Sequence, residues 1–324
     1  LGYISEQHTE VIDMGLQRFN QVLDQLQPHK PAPTVITVAG TNGKGTTCRM
    51  IEALLLQGGY RVGTTLSPHI WRFNERIRLH GHDAGDDEIC AAFAAIDEAR
   101  GDVALTYFEF SALAALYCMA QAQVDVAILE IGLGGRLDAF NAIDPDIAVI
   151  TSIGLDHQAF LGDTREAIGA EKAGILRSGQ HVVLGQNMPA SVLQRCEELS
   201  LKPRCWGTDF SSASDIDQGT WQLSRQSQAS LEIPLTAIAP HNIALACEAV
   251  ADMVELDLDL IAKCSATYMP GRMDIRQTKD RMWILDVCHN PDGVRFFLSE
   301  LASRKLRPAY FVCAMLAGKD HQGF

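Results

Sequence analysis

Some stretches of the chain are apolar at nearly every position, and others only at every third or fourth. Residues 35–39 (V-I-T-V-A), 124–131 (V-D-V-A-I-L-E-I) and 147–153 (I-A-V-I-T-S-I) are of the first kind. That pattern predicts parallel strands covered on both faces. Shorter strands are expected at 61–65 and 181–184. Helical spacing appears over 5–27, where Val11, Ile12, Leu16, Phe19, Val22, Leu23 and Leu26 form a stripe ended by Pro28, Pro31 and Pro33. It returns from Thr46 through Met50, Ile51, Leu54 and Leu55 to Gly58-Gly59, and again over 86–99, 111–122, 164–177 and 242–254. Strands alternating with helices predict an α/β, doubly wound, mostly parallel sheet.

Two regions depart from this rhythm. Residues 206–233 are rich in Ser, Gln and Thr with short alternating pieces such as 221–223, which reads as a small antiparallel excursion or surface insertion. Residues 73–79 (F-N-E-R-I-R-L) are basic and partly alternating. Pro270-Gly271 then reads as a hinge, followed by a smaller α/β unit with a strand at 283–287, a helix at 293–302 and a strand at 310–314. The expected domains are 1–269 and 270–324. The second is short against the ~100–150 residues usual for a domain, so it is expected to be incomplete. No internal repeat or low-complexity tract is visible.

The first strand runs into V-A-G-T-N-G-K-G-T-T (residues 38–47), and strand, glycine loop and helix together form the geometry of a phosphate cradle. Gly40, Gly43 and Gly45 let backbone N–H groups approach phosphate oxygens. Lys44 would reach the β/γ-phosphates, and Thr46 or Thr47 offers a hydroxyl to phosphate or Mg²⁺. The match to G-x-x-x-x-G-K-[ST] is imperfect: Val38 stands at the first glycine and Gly45 follows the lysine. A bare strand–loop–helix turn is the alternative.

Composition narrows the class. Hydrophobic content of 47% and charged content of 21% suit a globular domain protein rather than a disordered chain. A net charge of −13 argues against nucleic acid as partner, while leaving anionic small molecules open. Nine cysteines (48, 90, 118, 196, 205, 247, 264, 288 and 313), never spaced C-x-x-C, suit reduced thiols in a cytoplasmic protein. No apolar run approaches the roughly 18 residues of a membrane span, and no signal peptide opens the chain at Leu1.

Glu130 ends a buried strand and precedes the glycine turn 132–135 and Arg136-Leu137-Asp138. In open parallel sheets ligands bind beyond the carboxyl ends of strands, so Glu130 is placed to hold Mg²⁺ or, alternatively, to cap a helix. Asp156-His157 follows the next strand at the same end; histidine is an unusual Mg²⁺ ligand.

Together these residues resemble the dihydrofolate synthase / folylpolyglutamate synthase family of Mur-ligase-like ATP-dependent amide ligases, most of all its bacterial bifunctional type. The matching segments begin with 38–47, S-P-H-I (67–70), F-N-E-R-I (73–77) and L-T-Y-F-E (105–109). They continue with L-E-I-G-L-G-G-R-L-D-A (129–139), L-D-H (155–157), E-K-A-G-I (171–175), P-G-R (270–272) and D-V-C-H-N-P (286–291), in order along nearly the whole chain. The resemblance implies that Gly40, Thr41, Asn42, Gly43, Lys44, Gly45 and Thr46 hold the ATP triphosphate. It implies Asn242, Arg272, Asp286 and His289 around the nucleotide, and Ser67, Glu130 and His157 around two magnesium ions. Lys172 falls where the family carries a carbamylated lysine, although Glu171-Lys172 alone reads as a solvated helix face. Asp13, Gly15, Thr106, Phe108, Leu137 and Ala139 match the pteroate or folate pocket, and Phe108 could equally be core. His289 and Asn290 could equally be turn and cap residues.

The implied reaction joins L-glutamate to dihydropteroate or a folate through an acyl phosphate, with Lys44, Lys172 and His157 as catalytic residues, in a monomeric cytoplasmic enzyme. Cys288 stands where the family usually has alanine, a silent swap. Absence of the rest of the family's C-terminal domain puts the activity of this chain by itself in doubt. Rival readings are a Mur-type ligase acting on a cell-wall precursor, which usually has G-K-T rather than G-K-G-T, a P-loop kinase or switch, and a nucleotide-binding fragment.

Overall fold

A computed structural model describes residues 2–5, 12–26, 30–215, 217–226, 230–236 and 238–315. Strands are β1 (Thr34–Ala39), β2 (Val62–Thr65), β3 (Ile77–Leu79), β4 (His82–Asp83), β5 (Val126–Glu130), β6 (Ile147–Ile150), β7 (His181–Leu184) and β8 (Arg204–Cys205). They form one sheet in the order β4-β3-β2-β5-β1-β6-β7-β8. Neighbours from β2 to β8 run parallel, and the β2–β3 and β3–β4 pairs are antiparallel. β1 lies near the middle, in register with β5 through Thr34↔Val126 and with β6 through Ile36↔Ile147.

The uninterrupted apolar runs follow from this arrangement. Alternate side chains of each strand enter opposite cores. Val35, Ala39, Ala127, Leu129, Ala148 and Ile150 pack on the face covered by helices Asp86–Arg100 and Tyr107–Gln121. Ile36, Val38, Val126, Ile128, Ile147 and Val149 pack on the face covered by helices Lys44–Gln57 and Pro240–Val250. The Ser-rich stretch is the expected antiparallel excursion: β9 (Phe210–Asp215), β10 (Thr220–Arg225) and β11 (Leu231–Pro234) form a three-stranded sheet. Its inward Phe210, Trp221, Leu223 and Ile233 cover helix Pro240–Val250.

Four expectations change. The helix expected over 5–27 spans Gln17–Leu26, after a single turn at Gly2–Ser5; residues 12–16 are not helical, and 6–11 and 27 lie outside the described residues. Tertiary contact overrides helical spacing there, because Met14 packs on the core cluster and Arg18 Nη1 donates to Asp13 at 2.6 Å. Residues 310–314 are not a strand: they have no ladder partner among the described residues, and Tyr310, Phe311 and Val312 are exposed. The smaller unit is built instead from an antiparallel hairpin, β12 (Asp274–Gln277) with β13 (Met282–Leu285), and helix Pro291–Ser303. Helices Ala190–Glu198 and Leu258–Ser265 were not marked by the pattern.

Candidate active site

β1 delivers the chain to the glycine loop at the carboxyl end of the sheet, and the end of β6 holds that loop in shape. Thr41 N donates to Ser152 O at 2.8 Å, and Asn42 N to Ser152 Oγ at 3.0 Å. Thr151 Oγ1 donates to Asn42 O at 2.6 Å, and Thr41 Oγ1 exchanges hydrogen bonds with Gly154. The glycines are required for two reasons. Gly40 (φ 151°) passes so close to Thr151 that a Cβ there would collide with its hydroxyl. Gly43 (φ 85°) is left-handed, and a Cβ would sit 2.6 Å from Asn242 Oδ1. Gly43 is also the N-cap of helix Lys44–Gln57 and supplies no side-chain cap. The helix therefore presents its first N–H groups and partial positive charge to whatever the loop encloses.

Two lysines converge on this loop. Lys44 Nζ donates to Gly40 O at 2.9 Å and Thr41 O at 3.3 Å, and Lys172 Nζ donates to the same Gly40 O at 3.0 Å. Lys172 is 4% exposed, which overturns the solvated-face reading. Burial, reinforced by the Lys44 charge, brings its pKa down to about 7, so a large share is neutral amine near neutrality. Burial also lowers Lys44, against the opposing pull of Glu130.

Glu130 is 4% exposed at the tip of β5, where Oε2 accepts from Ser67 N at 2.7 Å. Its carboxylate lies beside the first helical turn, 3.3 Å from where a Gly45 Cβ would stand. It caps no helix. Burial raises its pKa, and the Lys44 charge is the largest opposing influence. Ser67 and Glu130, which the resemblance puts around magnesium, are thus neighbours through the backbone N–H of Ser67. His157 follows β6, with left-handed backbone (φ 51°) and an exposed side chain whose Nε2 lies 4.0 Å from Asp156 Oδ2. Among the described residues no three His, Cys, Asp or Glu side chains are grouped to hold a metal ion by themselves.

The smaller unit closes on the loop through Asn290. This residue caps helix Pro291–Ser303, with Gly293 N donating to its Oδ1 at 2.8 Å. Its Nδ2 donates to Asn42 Oδ1 at 3.1 Å and to Asp156 Oδ2 at 3.0 Å. His289 Nε2 lies 3.2 Å from the same Asp156 oxygen while Nδ1 faces Val287 O at 2.9 Å. Asp286 accepts from Met273 N at 2.9 Å and Cys288 N at 2.8 Å, so both of its oxygens already brace the turn. Arg272 is half-buried and close enough to Lys44 and Glu130 for its charge to act on both. Asn242 Oδ1 faces Thr47 Oγ1 at 3.4 Å.

The remaining sequence-marked residues gather around the turn after β5. Phe108 packs edge-on to Phe140 at 5.8 Å and fills the space beside Gly132, so it is both core and wall. Leu137 is half-buried and Ala139 buried. Thr106 is committed locally: its hydroxyl caps helix Tyr107–Gln121 and donates to Glu109 Oε2 at 2.8 Å. Met14 approaches the Gly134 turn, which brings the segment of Asp13 and Gly15 alongside it. Asp138, quoted in the sequence only as part of a motif, shapes this turn by accepting from Gly132, Leu133 and Phe140 N–H groups, and burial pushes its pKa up to about 6. Thr151, Ser152 and Asp156 were also not singled out as site residues; their position at the end of the strand pattern 147–153 was the available signal.

The Mur ligase middle domain family matches residues 38–251. The chain is 42% identical to the Escherichia coli dihydrofolate synthase/folylpolyglutamate synthase over 328 residues, all of this chain and 77% of that protein. It is 40% identical to the Haemophilus influenzae protein of the same name, over all of this chain and 78% of the relative. A structure of E. coli FolC in complex with DHPP and ADP superposes with a TM-score of 0.88 at 40% identity, covering 96% of this chain and 74% of that one. The Yersinia pestis bifunctional enzyme complexed with AMPPNP and Mn ion superposes at 0.85 and 40% identity, over 93% and 73%. Matched by that family model over residues 38–251 and 40–42% identical to these two curated relatives along its whole length, the protein belongs to the dihydrofolate synthase/folylpolyglutamate synthase family of Mur-type ligases.

Proposed function

We infer that the chain is an ATP-dependent ligase that joins L-glutamate to dihydropteroate and to folates carrying glutamate. The observation that carries this reading is the meeting of Lys44 and Lys172 on Gly40 O, with Ser67 N donating to the buried Glu130 carboxylate at the neighbouring strand tip. A triphosphate fits the uncapped helix N-terminus, and on its arrival Lys44 exchanges loop carbonyls for phosphate oxygens. The substrate carboxylate attacks the terminal phosphorus, forming an acyl phosphate as the bond to ADP breaks. The glutamate amine then forms the C–N bond, and phosphate leaves as the amine loses its proton. The chain's part is alignment and charge neutralisation: the loop N–H groups, Lys44 and Arg272 face the nucleotide, and the half-buried Phe108, Leu137 and buried Ala139 enclose the pterin.

Ser67, Glu130 and His157 would hold Mg²⁺, with two ions supported by family resemblance. The buried Glu130 carboxylate supplies oxygen of the kind a hard cation takes, and Ser67 would add its hydroxyl and His157 its imidazole. When bound, such ions neutralise charge developing on the transferred phosphoryl group. Lys172 is suited to carbamylation: its neutral amine adds to CO₂, forming an N–C bond with loss of one proton, and the product carries a negative charge beside Lys44. The remaining expectations stand as part of this reading: a boundary near Pro270-Gly271, a monomer, and a cytoplasmic enzyme. Among the described residues no helix is long and apolar enough to cross a membrane.

The test is phosphate release with dihydropteroate, tetrahydrofolate or UDP-linked peptides, each with and without L-glutamate. Glutamate-dependent release with the first two is expected. Release with the UDP-linked peptides alone would transfer the chain to cell-wall chemistry, and glutamate-independent hydrolysis would leave it a nucleotide-binding ATPase.

A further inference from the structure

Arg76 is the half-buried arginine that the reading above leaves without a task. Apart from Arg272, already assigned to the nucleotide, comparably enclosed arginines face a carboxylate: Arg78 meets Glu52 and Asp83, Arg225 meets Glu248, Arg100 meets Asp97 and Arg304 meets Glu300. That is the ordinary fate of a desolvated guanidinium. Arg76 has none among the described residues. Its Nε donates to His69 Nδ1 at 2.7 Å, and the group lies over Tyr107 and Phe73, 5.3 and 5.9 Å from their ring centroids. The two terminal nitrogens have no acceptor among the described residues.

Its location narrows what those nitrogens are for. Arg76 immediately precedes β3, and its carbonyl accepts from Leu66 N at 3.1 Å, next to the Ser67 that donates to Glu130. Its charge is among those acting on Glu130. Tyr107 beneath it adjoins Phe108 of the expected pterin pocket. The sheet order places β3 three strand spacings from β1, about 14 Å, so Arg76 stands away from the phosphate loop. It thus has Glu130 within reach of its charge on one side and Tyr107, next to Phe108, on the other, and on the ligase reading the reacting carboxylate lies between those two sides.

We propose that Arg76 binds the carboxylate that is activated in this ligase, its terminal nitrogens forming a fork on the two carboxylate oxygens. This rests on the ligase reading and adds a residue that touches the reacting group. The contact lowers the repulsion between carboxylate and triphosphate, both anions, before the O–P bond forms. It stays on the acyl oxygen when glutamate attacks. His69 and Tyr107 position the guanidinium, fixing Nε and its stacking face so that the fork is set in advance.

The test compares binding of a pteroate and of its carboxamide, in the presence of AMPPNP, to wild type, Arg76→Gln and Arg76→Lys. Arg76→Gln should weaken the pteroate by about 30-fold or more and the carboxamide by less than about twofold, the loss expected of a hydrogen-bonded charge pair. Arg76→Lys should lose about tenfold for the carboxylate only, because it keeps charge without the fork. Unchanged AMPPNP affinity certifies folding; if Arg76→Gln fails that check, Arg76→Lys decides. Equal losses for carboxylate and carboxamide, or no loss for either, overturn the proposal. Failure of the wild type to bind pteroate or release phosphate with glutamate would instead overturn the ligase reading, so the two failures are distinct.

Discussion

The two ends of the central sheet carry similar residues in opposite physical states. At the amino end a cavity of about 490 Å³ is lined by Lys30, Asp144, Asp146, Arg177 and Gln180 among others. Its charges are paired and wet: Lys30 meets Asp146 at 3.0 Å with both side chains nearly half exposed, and Arg177 meets Asp144 at 2.6 Å. At the carboxyl end Lys172 and Glu130 are buried and Lys44 is half-buried, and none of the three forms a salt bridge among the described residues. Exposed pairs are screened and contribute roughly 0–1 kcal/mol, whereas enclosed charges shift their protonation and act strongly on a ligand. Volume therefore does not mark the chemistry here; desolvated charge does.

The sharpest way to break this comparison is Lys44→Ala. Ligation should fall by about 10³-fold or more, the scale of losing a preorganised charge at phosphoryl transfer, with thermal unfolding little changed. Near-normal turnover would remove the cradle role. Next, Lys172→Ala should lose on the order of 100-fold and recover part of it with short added carboxylates; full activity without them would count against a carbamate.

Lys172 also fixes a pH sign in CO₂-free buffer. Its native pKa of about 7 lies below the ordinary 10.5, so between these values the unfolded chain holds a proton the native chain lacks. Stability contributed by this site accordingly rises with pH across that window, and the full cost of burying the ammonium persists below about 7. Lys172→Met should thus raise the melting temperature most at pH 6 and progressively less toward pH 10. A gain that grows with pH would contradict the assignment. Smallest of all, Lys30→Ala at the amino end should change kcat/KM less than about twofold and stability by at most about 1 kcal/mol.

Much of the fold was legible because its strands must be apolar on both faces. Residues 181–184 were read at their observed limits, and β1, β5 and β6 within a few residues. The misses share one cause. Spacing over 5–27 continues through Ile12 and Leu16, yet 12–16 follow the contacts of Met14 and Asp13 instead. Residues 310–314 have strand composition, but a strand also needs a hydrogen-bonded neighbour, which spacing along one segment does not reveal.

The sequence by itself determined the phosphate loop, the parallel sheet that presents it and, through ordered motifs, the family. These are local or periodic features: glycines at fixed offsets, alternation along a strand, short runs in a set order. Only the tertiary structure decided that Lys172 is buried beside Lys44, that Asn290 ties the smaller unit to Asn42 and Asp156, and that Arg76 meets no carboxylate among the described residues. Each of these depends on which distant groups exclude water from a charge. That is set by packing across more than a hundred residues of chain for the first two, and by the β2–β3 edge for the third.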